Sequence, residues 1–144
     1  MSERAFVDTN VILYSFDPNV AHHVRSLALM EQTRGQDANL WISPQVFCEV
    51  YRYVTHPGAP KALGPGEVTS ELEALLARPG LHILPVPPDV TTRIIQLLRE
   101  RPVRGPQVFD AQIAATMLGN GVRRIYTFNK SDFLFNGLEP LEPP

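Results

Sequence analysis

The chain has 144 residues, 44% of them hydrophobic, with 14 prolines and a formal charge of −2. That length and composition suit one globular domain over residues 1–144 and exclude a disordered tail or a fibrous repeat. The near-neutral charge excludes a general field toward nucleic acid or anionic membranes, and proline at about twice its usual share of ~5% excludes a long-helix bundle.

The prolines and glycines divide the chain into short elements. Ala5 to Val7 reads as a buried strand, followed by Asp8-Thr9-Asn10 and a short helix from Val11 to Phe16, stopped at Asp17-Pro18. Asn19 to Arg34 reads as an amphipathic helix with Val20, Val24, Leu27 and Met30 on one face. Leu40 to Ile42 is a second strand. Ser43-Pro44 then opens a helix running to about Val54 or Thr55, with serine at the N-cap and proline at the first helical position.

His56 to Gly66 holds six prolines and glycines and reads as a loop. A helix over Glu67 to Arg78, a strand over Leu81 to Val86 and a helix over Asp89 to Arg101 follow. Val103 to Pro106 is a turn, Gln107 to Leu118 a helix closed by Gly119-Asn120-Gly121, and Arg124 to Phe128 a strand; the tail after Asn136 has no predicted element. Strands separated by helices predict an α/β fold, a parallel β-sheet flanked by α-helices. The single Cys48 excludes an internal disulfide and a Cys-rich zinc site. No apolar run approaches the ~18 residues of a membrane span. An acid at Asp8 interrupts any signal-peptide core, so the expected location is cytoplasmic.

Four acids stand out against this pattern. In parallel sheets ligands bind beyond the carboxyl ends of the strands, where Asp8 and Asp132 fall. Asp8 also reads as a helix N-cap, and Asp132 as a turn residue. Glu49 borders the stripe of Val46, Phe47, Val50 and Val54, where an i,i+3 pair with Arg52 is the plainer reading. Asp110 heads the row of Ile113, Ala114 and Met117; the helix dipole accounts for an acid in the first turns but not for its place on the apolar side. In a parallel sheet all four can converge at one end. Two carboxylates ~4 Å apart repel by ~4 kcal/mol at an effective dielectric of 20, a penalty a divalent cation removes. Oxygen ligands select a hard ion, Mg²⁺ or Mn²⁺, which suits phosphodiester chemistry.

The sequence resembles the PIN-domain ribonucleases, in particular the VapC-type toxins of prokaryotic toxin–antitoxin pairs. The matching segments are Phe6-Val7-Asp8-Thr9-Asn10-Val11-Ile12-Leu13, Glu49 in its helix, Asp110-Ala111-Gln112-Ile113-Ala114-Ala115-Thr116, and Thr127-Phe128-Asn129-Lys130-Ser131-Asp132-Phe133. Their order and spacing agree over essentially the whole chain, apart from the His56 to Gly66 loop. The resemblance implies a Mg²⁺-dependent endoribonuclease (Mn²⁺ as alternative ion), an RNA substrate, a VapB-like antitoxin, and homodimers that join antitoxin dimers. It implies Asp8, Glu49, Asp110 and Asp132 as the catalytic acids, with Asp8 and Asp110 as principal metal ligands. Thr9, Asn10, Thr127 and Asn129 would orient them.

Arg52 and Lys130 either neutralise the acids or contact RNA phosphates, and Lys61 in the loop is a candidate contact for RNA or antitoxin. His22, His23 and Cys48 read as structural, and Phe47, Tyr51 and Tyr53 as core or dimer contacts. Two other readings keep the same fold: a PIN nuclease of RNA processing, and a non-catalytic PIN module that binds RNA or protein. A haloacid-dehalogenase-like phosphatase requires a second aspartate two residues after the first, where this chain has Asn10.

Overall fold

The computed structural model describes residues 3–59 and 62–144. Five three-residue strands form a single parallel sheet among them: β1 (Ala5–Val7), β2 (Leu40–Ile42), β3 (Leu81–Ile83), β4 (Arg124–Tyr126) and β5 (Glu139–Leu141). The strand order is β3-β2-β1-β4-β5. β1 is central, and all three of its residues are buried, as expected of a strand covered on both faces.

Six α-helices flank the sheet: α1 (Thr9–Phe16), α2 (His23–Glu31), α3 (Pro44–Thr55), α4 (Pro65–Leu76), α5 (Val90–Glu100) and α6 (Val108–Gly119). α1 packs on α2 and α3, α3 packs on α4, and α5 packs on α6. Phe6, Ile12, Met30, Val46, Ile113 and Ile125 belong to the main core. A smaller cluster of Leu97, Ala111, Ala114, Ala115 and Phe135 cements α5 to α6. α6 is thus covered nearly all round, and its alanines allow that close approach. Gly121, at φ 71°, ends it: the Gly121 N–H donates to the Leu118 carbonyl and the Val122 N–H to the Met117 carbonyl, a two-bond cap that needs a left-handed residue.

Several predicted boundaries move. α2 begins at His23, with a 3₁₀ turn at Gln32–Arg34. Its predicted face is not the buried one: Val24 is 76% exposed and Leu27 38%, whereas Ser26, Leu29, Met30 and Thr33 are buried. Only Met30 of the predicted row lies inside. The small Ser26 serves where the chain comes close to its neighbours, so hydrophobicity alone selects the wrong stripe. The third and fourth strands stop at Ile83 and Tyr126, the predicted turn before α6 contains a 3₁₀ turn at Gly105–Gln107, and α4 begins at Pro65 inside the predicted loop. The tail holds the unpredicted β5, whose Pro140 is tolerated because the strand lies at the sheet edge. No helix among the described residues is long and apolar enough to cross a membrane.

Candidate active site

The register of β1 and β4 builds the centre of the site. Val7 pairs with Tyr126, so Asp8 and Thr127 emerge side by side at the carboxyl edge of the sheet. The Asp8 N–H donates to the Tyr126 carbonyl at 3.0 Å. Asp8 is 7% exposed and caps α1, as its plainer reading held: Oδ1 accepts from the Thr9 N–H at 2.8 Å. Oδ2 accepts from the Thr127 hydroxyl at 2.8 Å. Thr127 Oγ1 in turn accepts from the Asn129 N–H at 3.0 Å and the Asn10 amide at 3.5 Å. Asn129 therefore meets this web through its backbone, with its side chain exposed.

Glu49 enters from α3, which starts at Ser43 and Pro44 as predicted, although the Ser43 hydroxyl caps nothing. Its carboxylate is held at both oxygens. Oε2 accepts from the Thr9 hydroxyl at 2.8 Å and Oε1 from the Gln45 amide at 2.8 Å. The predicted partner Arg52 is exposed. Neither Arg52 nor Lys130 joins an acid in the ion pairs of the described residues, so neither neutralises the cluster. Lys61 lies outside the described residues.

Asp110 and Asp132 complete the group from the other side. Asp110 stands in the first turn of α6, ahead of the buried Ile113, Ala114 and Met117. Asp132 sits in the 3₁₀ turn Lys130–Phe133, which the buried Phe133 anchors. A residue that the sequence reading passed over holds this turn from outside. The Arg101 guanidinium donates to the carbonyl oxygens of Ser131 at 2.7 Å and Asp132 at 3.2 Å. It also lies 4.9 Å from the Phe135 ring centre. Arg101 read merely as the end of a helix, and only the fold brings it to this turn. Gln45 was missed for the same reason.

Electrostatics ties the four acids together. Burial pushes the Asp8 carboxyl up to about 6, with Glu49 and Asp132 adding to the rise while the Thr127 and Thr9 hydrogen bonds oppose it. Asp110 is pushed up to about 7, first by burial and then by the charges of Asp132, Asp8 and Glu49; Arg101 pulls it back. Each shift has the sign that desolvation and like charge impose on a carboxyl. Among the described residues, no three side chains of the metal-binding types close on one point as a ready ion cage. What Asp8, Glu49, Asp110 and Asp132 offer is carboxylate oxygens, the donor type that Mg²⁺ or Mn²⁺ takes.

His22 and His23 have structural surroundings. His22 stacks on Phe128 with ring centres 3.9 Å apart, and His23 Nδ1 meets the Tyr14 carbonyl at 2.8 Å. Cys48 is free and exposed. Phe47 and Tyr51 pack on the core, whereas Tyr53 is exposed.

The family model described as PIN domain matches residues 5–134. The chain belongs to the PIN domain family. Among curated proteins none matches the sequence. This PIN domain is similar in fold to VapBC2 from Rickettsia felis bound to a DNA fragment from its promoter, with a TM-score of 0.67 and 18% identity over 96% of this chain and 98% of the other. It is similar to VapC20 from Mycobacterium tuberculosis, described as a toxin cleaving the sarcin–ricin loop (TM-score 0.66, 17% identity, 94% and 99% of the two chains). A third likeness is to DNA-bound VapBC from Salmonella typhimurium (TM-score 0.65, 18% identity, 99% and 100%). At these identities the likeness carries the fold: a PIN-like parallel sheet with flanking helices.

Proposed function

We propose that this PIN domain is the endoribonuclease toxin of a type II toxin–antitoxin pair, cutting RNA phosphodiester bonds with Mg²⁺ or Mn²⁺ as cofactor. The observation that carries the reading is the gathering of acids at the carboxyl edge of the sheet: Asp8 and Glu49 are joined through Thr9, and the charges of neighbouring acids press on both Asp8 and Asp110. A fold does not by itself assign chemistry; acids gathered at one edge, their charge offset only in part by Arg101, do narrow it. Such a set favours a divalent cation, with Asp8 and Asp110 as its principal ligands.

When bound, the ion supplies Lewis-acid activation of water and neutralises charge at the scissile phosphate. The chain's own residues orient the acids. The Thr127 and Thr9 hydrogen bonds fix how the Asp8 carboxylate lies. Thr9 and Gln45 do the same for Glu49. Asp110, pushed up to about 7, would give up any bound proton on holding a cation. Arg52 and Lys130, both exposed and unpaired, are the candidates for RNA phosphates.

The solved toxin–antitoxin complexes of the same fold support a VapB-like antitoxin as partner, and we extend the reading to a toxin homodimer within the hetero-oligomer and to action in the cytoplasm. Induction of the chain alone should arrest growth and leave new RNA 5′ ends, and co-expression of the antitoxin should relieve both. Harmless expression with an unchanged RNA-end profile would contradict the toxin role.

A further inference from the structure

Gln45 lies in the first turn of α3, four residues before Glu49. Its amide nitrogen donates to Glu49 Oε1 at 2.8 Å and to the Phe109 carbonyl oxygen at 2.9 Å. Both neighbours can only accept, so chemistry dictates which end of the amide faces them. Phe109 immediately precedes Asp110. The other Glu49 oxygen takes the Thr9 hydroxyl, and the Thr9 N–H holds Asp8. The Glu49 carboxylate is therefore strung between the segment that carries Asp8 and the segment that carries Asp110.

We infer that Gln45 is a positioning residue that sets the reach from Glu49 to Asp110, and so the geometry in which the acids meet a divalent cation. The inference rests on the nuclease reading above and deepens it.

A second feature of the same side chain points the same way. Gln45 Oε1 is buried without a hydrogen-bond partner. A buried oxygen that lacks a donor works against folding and offsets part of what the two N–H bonds contribute to stability. What the amide contributes is the pair of bonds from its nitrogen, one to a site acid and one to the backbone beside another. Stability given up at a position that tightens a site is the pattern expected of functional residues.

Two variants test this. Gln45→Met keeps the side-chain length and removes both N–H bonds. Gln45→Leu also removes both donors without adding a charge. The readouts are the thermal midpoint, Mn²⁺ affinity by electron paramagnetic resonance, and kcat and KM for RNA. For Gln45→Met we expect a midpoint within about 4 °C of the parent's. Its Mn²⁺ affinity and kcat should each fall about tenfold or more, with KM for RNA held within about twofold. Gln45→Leu should show the same losses, and it carries the test if the methionine variant fails to fold. Unchanged Mn²⁺ affinity and cleavage would overturn the inference while leaving the nuclease reading intact. A lower midpoint with losses that track the unfolded fraction would also overturn it, making Gln45 structural only. A parent that binds no Mn²⁺ and cuts no RNA would overturn the nuclease reading, and this inference with it.

Discussion

The two halves of the acidic cluster are built differently. Asp8 and Glu49 have both carboxylate oxygens hydrogen-bonded to neighbours on α1, α3 or the segment after β4. Asp110 and Asp132 have no such web: α6 places one, and the other rides on a turn tethered through its backbone by Arg101. The better-bonded Asp8 is held at about 6 although it is the more deeply buried, whereas Asp110 rises to about 7. Hydrogen bonds to a carboxylate favour its charged form, and burial and like charge oppose it. One half of the site is assembled on folding. The other carries charge that folding does not balance, and it is the half that a cation would relieve.

The largest effect is expected at the unbalanced half. Asp110→Asn removes a charge that the fold tolerates poorly, so cleavage should drop at least about a hundredfold while the thermal midpoint at pH 8 rises. The sign follows from linkage. Asp8 and Asp110 both sit above the unfolded value of 3.8, so the folded chain keeps protons that the unfolded chain has already released. The two acids' contribution to stability is fully present below 3.8 and is lost as pH climbs through about 6 and about 7. Thermal melts from pH 4 to 8 should show that decline in the parent, and a shallower one in Asp110→Asn. A midpoint lowered by the substitution at pH 8 would break the contrast between the halves.

Arg101→Met sharpens it. The turn that carries Asp132 loses two hydrogen bonds, and Asp110 loses the one cation that pulls it down. Cleavage should fall about tenfold, and the rising limb of its pH profile should move to higher pH. A profile that falls in height without moving would assign Arg101 to loop anchoring alone.

The built half should answer chiefly in stability. Thr127→Val preserves shape but takes a donor from Asp8 and an acceptor from the Asn129 N–H, both inside the protein. Loss of such buried partners costs about 1–3 kcal/mol, to be read from denaturant unfolding. A cost near zero would mean that water replaces the hydroxyl and that the web around Asp8 is looser than its distances suggest.

How much of this could be read in advance depended on the kind of signal. β1, β2 and α6 announced themselves through continuous apolar runs and glycine stops, because what they bury is apolar. Asp110 was legible as an acid heading a row of Ile113, Ala114 and Met117, all of which are buried. The inner face of α2 was not, because Ser26 and Thr33 lie inside it and Val24 outside. β5 hid behind Pro140, which an edge strand accommodates. Gln45 and Arg101 were invisible for a deeper reason. Gln45 reaches the Phe109 carbonyl and Arg101 the carbonyls of Ser131 and Asp132, contacts that only the closed fold creates, although the Gln45–Glu49 spacing of four is itself helical. Periodicity finds what a residue buries; it carries no record of which carbonyl a side chain will reach.

The central claim is that these four acids cut RNA through a divalent cation. Its most direct test is a cleavage assay on the purified parent and Asp110→Asn, each with Mn²⁺ or Mg²⁺ and each with excess chelator, reading the 5′ ends of the products. The account predicts discrete new 5′ ends for the parent with the ion, and none for the parent with chelator or for Asp110→Asn under either condition. Equal cleavage by the parent in chelator, or by Asp110→Asn with the ion, would contradict it.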